Sequence, residues 1–136
     1  DCGASFSTIN LAAAQLLGLD VTSLRQEKGT QSVVGIGIDG RKLIMPTTSV
    51  QLTFAGNPMK DSSGKVGFEG PPQNFVPWDP VSVAVGDLPV FSQLLGDGKN
   101  PLRVPTVLIG LDILSQRQIV LETGMGRSRR IFVSAS

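Results

Sequence analysis

A mainly β fold with one or two short helices is what this sequence predicts, and three observations lead there. Short apolar runs with strand character recur along the chain, as in Ser49-Val50-Gln51-Leu52-Thr53-Phe54 and Val81-Ser82-Val83-Ala84-Val85. Glycine, proline and asparagine punctuate those runs. Helical patterning is confined to two brief stretches, 11–17 and 111–116. With 136 residues, of which 40% are hydrophobic, the chain suits a single domain over residues 1–136.

Taken in order, Phe6-Ser7-Thr8-Ile9 reads as a short strand. Asn10 is a good N-cap for Leu11-Ala12-Ala13-Ala14-Gln15-Leu16-Leu17, and Gly18 a good residue just past its end. A helix that short needs tertiary support, so it is expected to dock through Leu11, Leu16 and Leu17. Residues 20–30 are polar and read as loop. Residues 31–45 hold two β-prone runs around Asp39-Gly40, the signal of a two-residue hairpin turn. Gly35 and Gly37 weaken its first strand as a packing element but suit a hairpin lying over a ligand; a plain surface hairpin with bulges is the other reading.

The alternation of Val50, Leu52 and Phe54 predicts a half-buried strand. Residues 57–80 are rich in Gly, Pro, Ser and Asn and read as an inserted loop, with Phe75 and Trp78 pinning it to the body. A strand follows at 81–85. Pro105-Thr106-Val107-Leu108-Ile109-Gly110 reads as a buried strand ending in Gly. A short helix starts at Leu111, with Asp112 near its beginning. Strands at 119–122 and 130–133 then flank a turn at Thr123-Gly124-Met125-Gly126.

Composition excludes several chemistries. The chain has no His, no Tyr and one Cys. Without an imidazole base the Ser-His-Asp and Cys-His mechanisms are ruled out, as are most catalytic zinc sites. One Cys leaves no intrachain disulfide and no thiolate cluster for a metal. Carboxylates remain as the proton-transfer groups. The net charge is +1, with no basic stripe interleaved with aromatics, so nucleic-acid binding by this domain is not expected. Arg127, Arg129 and Arg130 read as a solvated turn. No apolar run is long enough to span a bilayer. The lone Cys favours a reducing, cytoplasm-like compartment, and nothing else in the chain bears on localisation.

The most informative segment is Asp1-Cys2-Gly3-Ala4-Ser5. An acid is followed there by residues with almost no side chain, which leaves its carboxylate open to a reactant. Gly3 lets backbone approach a ligand closely. The same residues also fit an ordinary Asp-x-Gly turn. An α-ammonium group on Asp1 itself would hold that carboxylate ionised, so a strand upstream of Asp1 is expected.

Three segments stand in a telling order: Asp1-Cys2-Gly3-Ala4-Ser5, then Val33-Val34-Gly35-Ile36-Gly37-Ile38-Asp39-Gly40, then Val107-Leu108-Ile109-Gly110-Leu111-Asp112-Ile113-Leu114. Together they resemble the retropepsin-like aspartic proteases, single-lobe relatives of pepsin, over nearly the whole chain. The first resembles the family's Asp-Thr/Ser-Gly-Ala motif and the second its flap. The third resembles the hydrophobic-hydrophobic-Gly segment that crosses beneath the active-site turn.

The resemblance implies a closed β-barrel of the acid-protease type and an endopeptidase that needs no cofactor or metal. Asp1 would be the catalytic residue, and Cys2, Gly3, Ala4 and Ser5 its turn. Residues 31–45 would be the flap, with Val34, Gly35, Ile36, Gly37 and Ile38, together with Ile109 and Gly110, binding a peptide or polyprotein substrate. Only one such Asp is present, because Val85-Gly86-Asp87-Leu88 and Leu95-Gly96-Asp97-Gly98 supply no second motif, so a homodimer is implied. There are departures from the family pattern. Cys2 stands where the family has a hydroxyl, which loosens the link between two turns. Ser5 and Leu111 stand where retroviral members carry a salt-bridged Asp and Arg. Residues 57–80 exceed the compact retroviral layout. An inactive dimerisation or peptide-binding module of the same fold is the alternative.

Overall fold

The computed structural model describes residues 3–27, 31–36, 40–122 and 130–136. Among them are nine strands and four short helices, so the chain is mainly β as expected, with more helices than the sequence announces. The described residues form two compact units. One lies within Asp1–Ser49 and Ser82–Gln116, the other within Val50–Val81 and Arg117–Ser136.

The first unit is built on a five-stranded sheet. Its strands are β1 (Thr8–Ile9), β2 (Ser32–Ile36), β3 (Lys42–Val50), β6 (Val81–Val85) and β7 (Val107–Leu108), in the spatial order β2-β3-β6-β1-β7. Central β6 is buried along nearly its whole length, since only Ser82 of Val-Ser-Val-Ala-Val is exposed. That is the near-continuous apolar reading of a strand covered on both faces. β1 pairs in parallel with β6 and antiparallel with β7. Ile9, Met45, Val83, Val85, Phe91 and Ile113 are buried in the core.

Helix α1 (Leu11–Leu16) starts where expected. The Asn10 side chain accepts from Ala13 N at 2.9 Å, and Gly18 follows the helix at φ +72°. Its packing differs from expectation, because Ala14 is buried while Leu11, Leu16 and Leu17 are exposed. The reason lies at the cap. Asn10 Nδ2 donates to Leu102 O and Val104 O, and its Oδ1 also accepts from Thr106 N, which presses the small alanine face inward. A second helix, α2 (Val21–Gln26), occupies part of the expected loop, capped by Asp20 through Thr22 N. Helix α3 (Pro89–Leu95) opens with Pro89 in its first turn, where the missing N–H costs nothing. Helix α4 (Leu111–Leu114) follows Gly110 as expected.

The strands of the 31–45 hairpin are present as β2 and β3, paired antiparallel. Ile36 pairs with Lys42 and Gly35 with Leu43. The turn expected at Asp39-Gly40 includes residues 37–39, which lie outside the described residues. Gly40, at φ +74°, supplies the left-handed position. β3 also runs on to Val50, while residues 51–54 lie outside any strand and Phe54 is exposed. The alternation that predicted a strand there instead places Phe54 in an aromatic cluster.

The second unit holds two hairpins, β4 (Pro58–Lys60) with β5 (Val66–Phe68) and β8 (Ile119–Leu121) with β9 (Ile131–Val133). The first occupies part of the expected inserted loop. Asp61 closes its turn by accepting from Ser63 N, Ser63 Oγ and Lys65 N. Phe54, Phe75 and Trp78 meet edge-on or tilted, with ring centroids 5.0–5.5 Å apart. The Arg117 guanidinium lies 4.6 Å from the Phe75 ring and 4.3 Å from the Trp78 ring. It also donates to the carbonyls of Val76, Ser134 and Ala135. Arg130 pairs with Glu122 at 2.7 Å on the exposed surface; Arg127, Arg129 and the turn expected at 123–126 lie outside the described residues.

The expected closed barrel is not found among the described strands, which form one open sheet and two separate ribbons. β1 and β7 are two residues long, and each leads at once towards a helix that carries the chain out of the sheet. No helix among the described residues is long and apolar enough to cross a membrane.

Candidate active site

The site is built where residues 3–6 turn into β1. Gly110 lies against that turn so closely that a methyl on it would sit 2.7 Å from the Phe6 carbonyl carbon and 2.8 Å from Ala4 O. Only glycine fits without moving backbone. The next residue holds the turn from the same side, Leu111 N donating to Ala4 O at 2.8 Å.

Ser7 completes the attachment. It is fully buried, and its Oγ accepts from Gly110 N at 2.9 Å while donating to Asp112 Oδ1 at 2.7 Å. Ser7 N donates to Asp112 Oδ2 at 2.8 Å, and Ser7 O accepts from Ala84 N at 2.9 Å. The Asp112 carboxylate thus takes two hydrogen bonds from one residue 105 positions away. Charge-assisted bonds of this kind are about twice as strong as neutral ones. Asp112 is therefore a structural anchor for the turn, and the helix start that led to its selection in the sequence is the smaller part of its role.

Above this floor lies a cavity of about 590 Å³. That falls in the range of about 300–1,000 Å³ typical of ligand sites. Gly3, Ala4, Ser5, Phe6, Thr8 and Leu108 line one part of it. Val33, Val34, Gly35 and Ile36 of β2 line another, and Met45, Leu88, Pro89 and Val90 complete it. Among the described lining residues none carries an ionisable side chain. Two acids directly adjoin or nearly adjoin the lining in sequence. Asp87 precedes Leu88, but its carboxylate is engaged by Leu11 N at 2.9 Å. Asp1 stands two residues before Gly3.

Of the residues singled out from the sequence, Gly3, Ala4, Ser5, Val34, Gly35 and Ile36 are brought together around this one cavity. Asp1, Cys2, Gly37 and Ile38 lie outside the described residues. From β7 and the residues after it, Leu108 lines the cavity, and Gly110 packs against the 3–6 turn. Ile109 follows the last residue of β7, which is Val107–Leu108.

Sequence reasoning missed Ser7, Asp112 as an anchor, Met45 and the 88–90 segment. Asp97, which lies between Gly96 and Gly98, closes its own loop. Hydrogen bonds from Asn100 N and then Lys99 N pull its carboxyl down to about 2. Among the described residues no three His, Cys, Asp or Glu side chains cluster to hold a metal ion. In comparisons with protein families, with curated proteins and with solved structures, nothing matched this chain.

Proposed function

We propose that this chain is an aspartic endopeptidase of the retropepsin-like kind, acting as a homodimer in which each copy contributes Asp1 to a shared pair. One observation carries the reading. A peptide-sized cavity is lined by the 3–6 turn and by β2, and its lining begins two residues after Asp1 in the chain. The attachment of the turn to Gly110, Ser7 and Asp112 supports it, because a carboxylate used in catalysis needs a fixed base.

In this reading two carboxylates brought face to face cannot both ionise easily, so they share one proton. The ionised partner takes a proton from a water molecule as that water attacks the peptide carbonyl. The protonated partner gives its proton to the carbonyl oxygen, forming a neutral gem-diol. The amide nitrogen is then protonated from the pair, the C–N bond breaks, and acid and amine products leave. The backbone at Gly3 and Gly35 would hold the substrate as an extended strand. The apolar lining favours apolar substrate side chains.

The test is cleavage of a peptide library by the protein at mildly acidic pH, set beside Asp1→Asn. The expected result is cleavage by the wild type and a loss of at least about a thousandfold in the variant, with fold and dimer unchanged by circular dichroism and light scattering. Cleavage by Asp1→Asn near the wild-type rate would overturn the assignment. A wild-type dimer that binds peptides without cutting them would instead support the binding-module alternative, which the thiol of Cys2 in place of a hydroxyl favours.

A further inference from the structure

We infer that Met45 is a specificity-determining residue of this cavity, an adjustable wall that sets the size of the substrate side chain accepted. The inference rests on the peptidase reading and adds to it the identity of the residue that gauges the substrate. Met45 sits in β3, 2% exposed, and contributes to the cavity lining. Its side chain lies in a slot made by two glycines from different elements. A methyl on Gly86, just past β6, would lie 2.8 Å from Met45 Cγ and 2.9 Å from Sδ. A methyl on Gly35, in β2, would lie 2.8 Å from Met45 Cε. The thioether therefore fills the space that two missing side chains leave, from Cγ to its tip.

That position links the wall strand to the segment leading into α3. The same imagined methyl on Gly35 would be 3.1 Å from Leu88 Cδ2. Methionine is unbranched and polarisable, and it repacks readily into irregular space. Its Cε lies next to Gly35, which lines the cavity with Met45 and Leu88, while its Cγ and Sδ lie next to Gly86. Shortening Met45 widens the cavity there. Adding a methyl at Gly35 pushes Cε towards the open side and narrows it.

The experiment uses two non-cleavable reduced-amide peptides, identical except for Phe or Val beside the reduced bond. Their dissociation constants are measured by calorimetry for wild type, Met45→Ala and Gly35→Ala, alongside cleavage of the parent peptides by wild type. Met45→Ala should shift the Phe-to-Val preference towards Phe by about tenfold, and Gly35→Ala should shift it several-fold towards Val, the scale that methylene-sized changes produce in apolar pockets. A preference within about twofold of wild type in both variants overturns the inference, and does so alone if the wild type cleaves the parent peptides. A wild type that neither binds nor cleaves either peptide overturns the peptidase reading as well. If Met45→Ala does not fold, Gly35→Ala decides. Its new methyl meets only side-chain ends, with no backbone atom nearer than 3.8 Å.

Discussion

Gly110 beneath the turn and Gly35 in the wall strand are both pressed hard against neighbours, but against different kinds of atom. At Gly110 an added methyl would meet backbone, the carbonyl groups of Phe6 and Ala4. At Gly35 it would meet the ends of Met45 and Leu88 side chains. Backbone fixed by the Leu111–Ala4 and Ser7 hydrogen bonds cannot give way cheaply, whereas a methionine tip can change rotamer. The floor of the cavity is thus fixed, and its wall is adjustable. This division suits a reacting group that must be positioned and a substrate that varies.

The largest effect should come from Gly110→Ala. We expect a loss of about 3 kcal/mol or more, since overpacking here must move backbone. Urea unfolding followed by circular dichroism checks it, and a loss under about 1 kcal/mol would break the contrast. Ser7→Ala should cost about 1–3 kcal/mol, because Gly110 N and the Asp112 carboxylate lose a partner inside the fold. If the turn is the base for Asp1, the same variant should lower kcat more than it raises KM. Gly35→Ala should leave stability within about 1 kcal/mol of wild type, by the same unfolding measurement.

The smallest effect lies away from the cavity, at Asp97. Its folded carboxyl, near 2, sits below the ordinary value of 3.8. A depressed carboxyl stabilises the fold above the ordinary value, and that contribution fades as pH falls from about 4 towards 2. Wild type should therefore melt above Asp97→Asn at neutral pH, with the difference closing across that acid window. A constant difference down to pH 2 would exclude the hydrogen-bonded loop as its origin.

What was legible in the sequence was local. Asn10 announces α1 because a cap and its helix are neighbours, and the Val-Ser-Val-Ala-Val run announces β6. The grouping of the 3–6 turn with Val34, Gly35 and Ile36 came from motif order rather than from periodicity. The Ser7–Asp112 pair was hidden, since nothing local signals a bond across 105 residues. The hairpin was visible because two β-prone runs flank Asp39-Gly40. Asp20 offered a cap for α2 that polar neighbours obscured. The β4–β5 ribbon was masked by its own Pro and Gly, although Asp61 with Gly64 at φ +81° is a recognisable tight turn.

Trp78 is the single tryptophan of a chain without tyrosine. Its indole lies under the Arg117 cation and beside two phenylalanine rings, all within the second unit. Ultraviolet emission from this protein therefore comes from one fluorophore at one address. A spectral red shift in denaturant tracks the loosening of that cluster alone, and a mismatch with the loss of backbone ellipticity would show the two units melting separately.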